Sequence, residues 1–262
     1  MDKYLEPVVE WVVAAVKAQP YVWCAATLTF LIGVQIALAA SIAHGDEATV
    51  RRQLTSLQRI DVDKSNSKNE KPESKGQLTI VSPVASCAPV KVDSDTHPDA
   101  HTLFNNCYKL AIQTPEKDAQ DYTIWKSLSR QDKPDLSKIK TEIWIPKADA
   151  DENDPLVKSG GCIIMSFPDP SIPSWLNVVA AYTGGSVTTP QVACILPLEP
   201  TKEELEEHKI KLRPFKIDGE DGKGLDMEGL PAVSDIIPRL RLFLGVQDRQ
   251  GVPQGITVFK CV

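Results

Sequence analysis

A long uncharged run near the start of the chain constrains the fold more than any other feature. Residues 21–43 contain no acidic or basic side chain, and the nearest charged residues are Lys17 and Asp46. As a helix the run is about 35 Å long, which exceeds the ~30 Å hydrocarbon core of a bilayer. We therefore expect one membrane-spanning helix over residues 21–43, with Tyr21 and Trp23 at one interface.

The run has two other interpretations, a cleavable signal peptide and a buried helix of a soluble domain. The tripeptide Ala37-Leu38-Ala39 resembles a signal-peptide cleavage site. The region before the run is twenty residues long and acidic in places, however, which is atypical of a signal peptide. A buried helix of a soluble domain rarely needs so long an uncharged stretch. An uncleaved anchor is therefore favoured.

Small residues recur at four-residue spacing along the run: Ala25, Thr29, Gly33, Ala37 and Ser41. Side chains at this spacing share one helix face, and small ones let a second helix approach closely in lipid. Gln35, near the middle of the span, favours a hydrogen-bonding partner there. The pattern predicts packing against another membrane helix, and hence membership of an assembly.

The segments on either side of the run differ in polarity. Residues 1–20 predict an amphipathic interfacial helix, and residues 44–60 predict a membrane-proximal helix with an apolar stripe. Residues 61–77 are almost free of apolar side chains and predict an extended polar linker. Basic residues slightly favour the trailing side, so the large domain is expected on the reducing, cytoplasm-like side of a single-pass protein.

Residues 78–262 carry the pattern of a β-rich soluble domain, because short apolar runs alternate with turn residues and prolines. The expected architecture is a mainly β domain, a β-sandwich or jelly-roll-like fold with one or two short helices; an α+β arrangement is the fallback. One helix is signalled by the capping box from Thr201 to Glu204. The predicted strands are residues 77–81, 108–113, 123–128, 138–145, 162–167, 177–182, 192–196, 209–213, 239–247 and 256–261.

Strand alternation places two aromatic residues on nominally exposed faces. In residues 138–145 the isoleucines share one face and leave Trp144 on the other. In residues 239–246 the leucines share one face and leave Phe243 opposite. Exposed aromatics are typical of contact surfaces, so Trp144 and Phe243 are a possible partner interface.

One segment concentrates side chains of the metal-ligand type: Asp95, His97, Asp99 and His101. If Thr96 capped a helix, the two histidines would lie one turn apart on one face, a spacing that can bind zinc. The segment lacks the glutamate of a metalloprotease helix, and an acidic loop between strands is the simpler interpretation. Residues 218–229 are acidic and glycine-rich without the register of an EF-hand calcium loop, so they predict a flexible loop.

The six cysteines give a weak indication of compartment. Five of them lie in the soluble domain, and an odd number does not suit a fully paired extracellular framework. Cys162, Cys194 and Cys261 fall in apolar strands and should behave as small buried hydrophobes. The sequence also allows a disulfide such as Cys87–Cys107.

Composition and motifs together favour an interaction protein over an enzyme. The net charge of −6 disfavours nucleic-acid binding, and the sequence contains no nucleophile elbow or phosphate loop. We expect a membrane-anchored, non-catalytic structural or interaction protein with no cofactor, bound to the lipid bilayer, other membrane helices and soluble subunits. A virion capsid-to-membrane anchor and an accessory subunit of a membrane complex fit equally well. The alternatives are a membrane-tethered metal-dependent enzyme and a surface ligand-binding module.

Overall fold

A computed structural model describes residues 19–43, 45–62, 77–117, 123–171, 190–217, 220–246 and 254–262. The chain divides into two compact units. The described part of the first is helix α1, Pro20–Ala43, for which the side chains of residues 20–30 and 32–34 are described. The second unit comprises Gly45–Pro173 and Thr189–Val262.

Helix α1 is 24 residues long and has no acidic residue in its first turn and no basic residue in its last. Across the described residues, no helix meets the combined length and hydropathy of a bilayer-crossing segment. Of the predicted packing ridge, Ala25, Thr29 and Gly33 are described, and Thr29 Oγ1 donates to the Ala25 carbonyl at 2.9 Å. The side chains of Gln35, Ala37 and Ser41 lie outside the described set, as do residues 1–18 and residues 177–182.

The second unit is mostly β, with a few short helices. Its strands are β1 Leu57–Arg59, β2 Leu78–Val81, β3 Val90–Asp93, β4 Tyr108–Lys117, β5 Thr123–Ser127, β6 Lys140–Pro146, β7 Cys162–Pro168, β8 Gln191–Pro197, β9 Leu212–Ile217, β10 Glu220–Asp226 and β11 Ile256–Cys261. Its α-helices are α2 Asp46–Arg52, α3 Ala100–Phe104, α4 Pro155–Lys158, α5 Lys202–Glu207 and α6 Pro231–Phe243. The capping box predicted for α5 is present, with Thr201 and Glu204 bonded reciprocally.

The strands form three groups. A four-stranded antiparallel sheet has the order β1-β6-β7-β8, and a closed five-stranded barrel has the order β10-β11-β4-β5-β9. Strands β2 and β3 pair as a separate antiparallel hairpin. Among the described residues, β5 and β9 close the barrel through a parallel bridge between Lys126 and Lys216. The expected sandwich or jelly roll is thus replaced by a sheet beside a barrel.

Both faces of the four-stranded sheet are covered, which explains the continuous apolar runs in β7 and β8. On one face Ile163, Met165 and Phe167 join the main core, to which helix α6 contributes Val233 and Ile236. On the other face a smaller core forms against α2 and the turn after it, and its members are Val50, Leu54, Leu57, Cys162, Ile164, Ala193 and Ile195.

The barrel has its own small interior. Phe215 and Phe259 stack with ring centroids 4.5 Å apart, and Trp125 meets Phe259 edge-on at 5.9 Å. Gly224 passes beside this stack, where a Cβ atom would lie 2.8 Å from the Phe215 ring and 2.8 Å from the Lys260 carbonyl oxygen. Glycine at this position therefore lets β10 close the barrel.

Two predicted elements differ from the structure. The strand predicted over residues 239–247 is absent from its described part, residues 239–246, because Arg239–Phe243 belongs to helix α6, whose buried residues Val233, Ile236 and Leu240 follow a helical period. Strand β10 lies wholly within the acidic segment predicted to be a loop, and it pairs with both β9 and β11.

The folded unit also begins earlier in the chain than expected. Helix α2 ends at Arg52, and residues 57–59 form the edge strand of the four-stranded sheet instead of continuing a helix. Residues 45–62 therefore belong to the folded unit, and they include Asp61 and Val62, the first two residues of the segment predicted to be a linker. Residues 63–76 of that segment are outside the described residues.

Candidate interaction surface

The outer face of the β2–β3 hairpin carries exposed aliphatic side chains. Ile80 lies opposite Lys91 and Leu78 lies opposite Asp93 in the hairpin register. Val62 extends the row, because its N–H donates to the Lys91 carbonyl at 2.8 Å next to the bridge between Asp61 and Val92. Val62 is 49% exposed, Leu78 48% and Ile80 60%. We call these three residues the hairpin face.

The opposite side of the hairpin fixes its position. Val81 and Val92 are buried in the main core. The carboxylate of Asp61 accepts a hydrogen bond from Ile143 N at 3.2 Å and forms an ion pair with Arg59 at 2.5 Å. These contacts attach the hairpin to the edge of the four-stranded sheet, so the hairpin face is presented on a supported surface.

A fourth exposed aliphatic residue lies on a helix that contacts β2. Leu103 of α3 is 60% exposed, whereas Ala100 and Phe104 of the same helix are buried in the core. The end of this helix is tied to the end of β2, since Ser82 N donates to Asn105 Oδ1 at 3.0 Å. Leu103 therefore adds apolar area on an element that borders the hairpin.

The segment predicted to bind metal forms the turn between β3 and α3. The Asp93 carboxylate accepts hydrogen bonds from Asp95 N at 3.0 Å and Thr96 Oγ1 at 2.9 Å, and the first of these contributes most to lowering the pKa of Asp93. Helix α3 begins only at Ala100, so His97 precedes the helix that contains His101.

Within the part of the chain that the structure describes, no group of three histidine, cysteine or carboxylate residues is arranged to hold a metal ion. Asp95, His97, Asp99 and His101 are all described. The ring of His101 lies 3.4 Å from the Asn105 amide through its Nε2 atom. Asp93 therefore forms the turn. Among the described residues, no set of metal ligands surrounds His97 and His101.

A polar cleft of about 860 Å³ lies beyond the end of β2. Its lining residues are Ser82, Ser86, Asn105, Asn106, Lys126, Ser127, Ser129, Arg130, Gln131 and Asp132. Two of them hold the left-handed backbone conformation that non-glycine residues rarely adopt, with φ of 66° at Ser86 and 55° at Asn106. Such positions persist only where surrounding contacts enforce them.

Arg130 and Asp132 organise one wall of this cleft. The Arg130 guanidinium donates from Nε to the Ser86 carbonyl at 2.8 Å and from Nη2 to the Cys87 carbonyl at 2.5 Å. The Asp132 carboxylate accepts from Ser129 Oγ at 2.7 Å and Ser129 N at 3.1 Å, and these bonds lower the pKa of Asp132. Both charged groups are thus engaged in holding loop backbone.

The two aromatic residues predicted to mark an interface are half-buried. The indole of Trp144 donates from Nε1 to Glu142 Oε2 at 3.0 Å and packs against the smaller core of the sheet. The ring of Phe243 contacts Phe167 with centroids 5.1 Å apart. Their role in a partner interface stays a prediction, and the structure points to the hairpin face as a more exposed candidate.

The hairpin face could not be predicted from the sequence alone. Strand β2 was predicted, but which of its two faces lies outward depends on the pairing of β3 and on Val62, which lay in the predicted linker. Comparisons with protein-family profiles, curated proteins and solved structures found no match to this chain.

Proposed function

We propose that this chain is a membrane-anchored, non-catalytic interaction protein that holds a β-rich domain within a larger membrane-associated assembly. Residues 21–43 are the proposed anchor, and their small-residue face is the proposed contact with another membrane helix. A capsid-to-membrane anchor of a virion and an accessory subunit of a membrane complex are the two settings that this role fits.

The exposed hairpin face is the observation that carries the interaction role. Three aliphatic side chains on one side of a small sheet are each about half exposed or more. Contiguous exposed apolar surface on a folded domain is typical of protein contact sites. We propose that a soluble subunit of the assembly binds there.

The anchor proposal draws on the uncharged run in the sequence, although no helix across the described residues combines the length and hydropathy of a bilayer-crossing segment. The uncharged run of residues 21–43 coincides with helix α1, Pro20–Ala43. For residues 35–43 the proposal draws on the residue types alone, since those side chains are outside the described set. The second compact unit begins at Gly45, and we propose that it lies on the cytoplasm-like side of the membrane.

The test compares two charge substitutions at exposed aliphatic positions. Ile80→Asp places a carboxylate in the hairpin face, and Leu212→Asp places one on strand β9, where Leu212 is 52% exposed. We expect particles extracted in mild detergent from the native membrane to lose mass with Ile80→Asp and to keep wild-type mass with Leu212→Asp. The measurement is particle mass by light scattering.

Two outcomes would refute the interaction role. The wild-type chain could run as a lone detergent-bound chain, in which case there is no assembly. Ile80→Asp could leave the particle mass unchanged while circular dichroism confirms folding, in which case the hairpin face binds nothing. Gly33→Leu tests the membrane contact in the same way, because a leucine side chain would keep a second helix away.

The polar cleft favours a ligand-binding module as a second candidate function. Serine and asparagine side chains line a space of about 860 Å³ that could surround a small hydrogen-bonding ligand. A thermal-shift screen with sugars and carboxylic acids tests this candidate. Stabilisation that is lost in Asn106→Ala and kept in Leu212→Asp would support it, and no stabilisation by any compound would exclude those two classes.

A further inference from the structure

Two half-buried cysteines, Cys107 and Cys261, lie opposite each other in backbone register where the last strand of the barrel meets the start of β4. The ladder between β4 and β11 pairs Tyr108 with Lys260, and the next pair outward is Cys107 with Cys261. The Cys261 N–H donates to the Cys107 carbonyl at 2.9 Å, so the antiparallel register continues to this pair. Both thiols are free and only partly buried.

This placement matches the requirements of a cross-strand disulfide. Directly opposed residues of an antiparallel pair project to the same side of the sheet, and hydrogen-bonded pairs have Cα atoms about 5.5 Å apart. Disulfides most often join Cα atoms about 5.5–6 Å apart. The Cys107 thiol now donates to the Leu103 carbonyl at 3.1 Å, and rotation of that side chain would turn its sulfur towards Cys261.

We propose that Cys107 and Cys261 form a reversible disulfide with glutathione disulfide or a similar small disulfide as oxidant, fastening the C-terminal strand to the first barrel strand. One cysteine thiolate attacks the oxidant and displaces one glutathione thiolate, giving a mixed disulfide. The second thiolate attacks the protein sulfur and displaces the other glutathione. Two protein thiols lose two protons and two electrons, and one glutathione disulfide becomes two glutathione thiols.

The other cysteines of the folded unit are poorly placed for this reaction. Cys87, Cys162 and Cys194 are buried in apolar cores, and burial raises the pKa of each of these thiols to about 12. Burial also raises the pKa of Cys107 and Cys261, while Lys260 nearby counteracts it for both. The exchange should therefore be measured at mildly alkaline pH, where more thiolate is present.

The test uses the full chain in mild detergent, equilibrated in glutathione buffers of graded ratio. Free thiols are blocked with N-ethylmaleimide after an acid quench, and linked peptides are identified by mass spectrometry. We expect the Cys107–Cys261 link to be the main intramolecular product, with an equilibrium constant at least tenfold higher than in the chain unfolded in urea. The Cys87→Ala variant should keep the link, and Cys107→Ala should lose it.

A second measurement on wild-type protein avoids variants that fail to fold. The link would close a loop of more than half the chain, so oxidation should raise the unfolding midpoint on the order of 10 °C. An equilibrium constant no higher than in urea would overturn the proposal. So would glutathione bound singly to each cysteine, or Cys107 linked to Cys87.

Discussion

Asp93 shows how one carboxylate acquires its role from backbone geometry. The sequence around it suggests a ligand set, yet its oxygens accept from Asp95 N and Thr96 Oγ1 and close the turn after β3. Turns and metal sites use the same short acidic side chains, because both present carboxylate oxygens to nearby electropositive groups. Only the three-dimensional path of the chain distinguishes the two.

At the residue scale, Ser129→Ala should destabilise the domain in a pH-dependent way. The hydrogen bonds from Ser129 lower the pKa of Asp132 in the folded chain. They therefore stabilise the fold fully above the pKa of an unfolded aspartate, about 3.9. This stabilisation is lost as the pH falls through the pKa of Asp132 in the folded chain. At pH 7 we expect the wild type to have a higher free energy of unfolding in urea than Ser129→Ala. This difference should shrink below about pH 3.9, the pKa of an aspartate in the unfolded chain.

The matched control for this prediction removes the titrating group. In an Asp132→Asn background, Ser129→Ala should have an effect that does not vary across the same pH range, since no carboxylate remains to be protonated. If the difference in free energy of unfolding between wild type and Ser129→Ala instead grew on acidification, the hydrogen bonds from Ser129 would not be favouring the ionised carboxylate of Asp132.

At the scale of elements, helix α6 shows why a short stretch of sequence can predict a strand where the chain forms a helix. Residues 239–246 alternate leucine with other side chains, which is a strand pattern when it is considered alone. Over Pro231–Phe243 the buried positions fall at 233, 236 and 240, which is a helical pattern. Pro238 further disfavoured a helix, although it is exposed and the helix continues through it.

A pair of adjacent glycines allows a prediction about the turn that leads into β7. Gly161 has a φ of +113°, and a Cβ there would lie 2.2 Å from the Trp144 carbonyl oxygen; Gly160 has a φ of +68° with nothing within 4 Å. Gly161→Ala should lower the free energy of unfolding by about 3 kcal/mol or more, because backbone strain and a steric clash combine.

Gly160→Ala is the control, and it should cost only about 1–2 kcal/mol, the penalty of a left-handed backbone for alanine. Urea unfolding of both variants measures the difference. Equal effects would mean that the approach of Trp144 to Gly161 does not constrain the turn.

At the scale of the whole molecule, sequence predicts strands better than their arrangement. Strands β6, β7 and β8 were predicted nearly to their ends, because a central sheet requires continuous or alternating apolar runs. Barrel closure could not be predicted, since it rests on the pairing of β5 with β9, which are far apart in sequence. The hairpin face could not be predicted either, because it combines residues of β2 with Val62, which lies within the predicted linker.

The proposed anchor is the central claim, and extraction of membranes with alkaline carbonate tests it most directly. We expect the wild-type chain to stay with the bilayer and the double variant Leu28→Arg, Val34→Arg to be released, because arginine near the middle of a span costs about 2.5–3.5 kcal/mol per residue. Leu242→Arg, at an exposed position of α6, should behave like wild type. A wild-type chain recovered in the supernatant, or a double-arginine variant retained as firmly as wild type, would contradict the account.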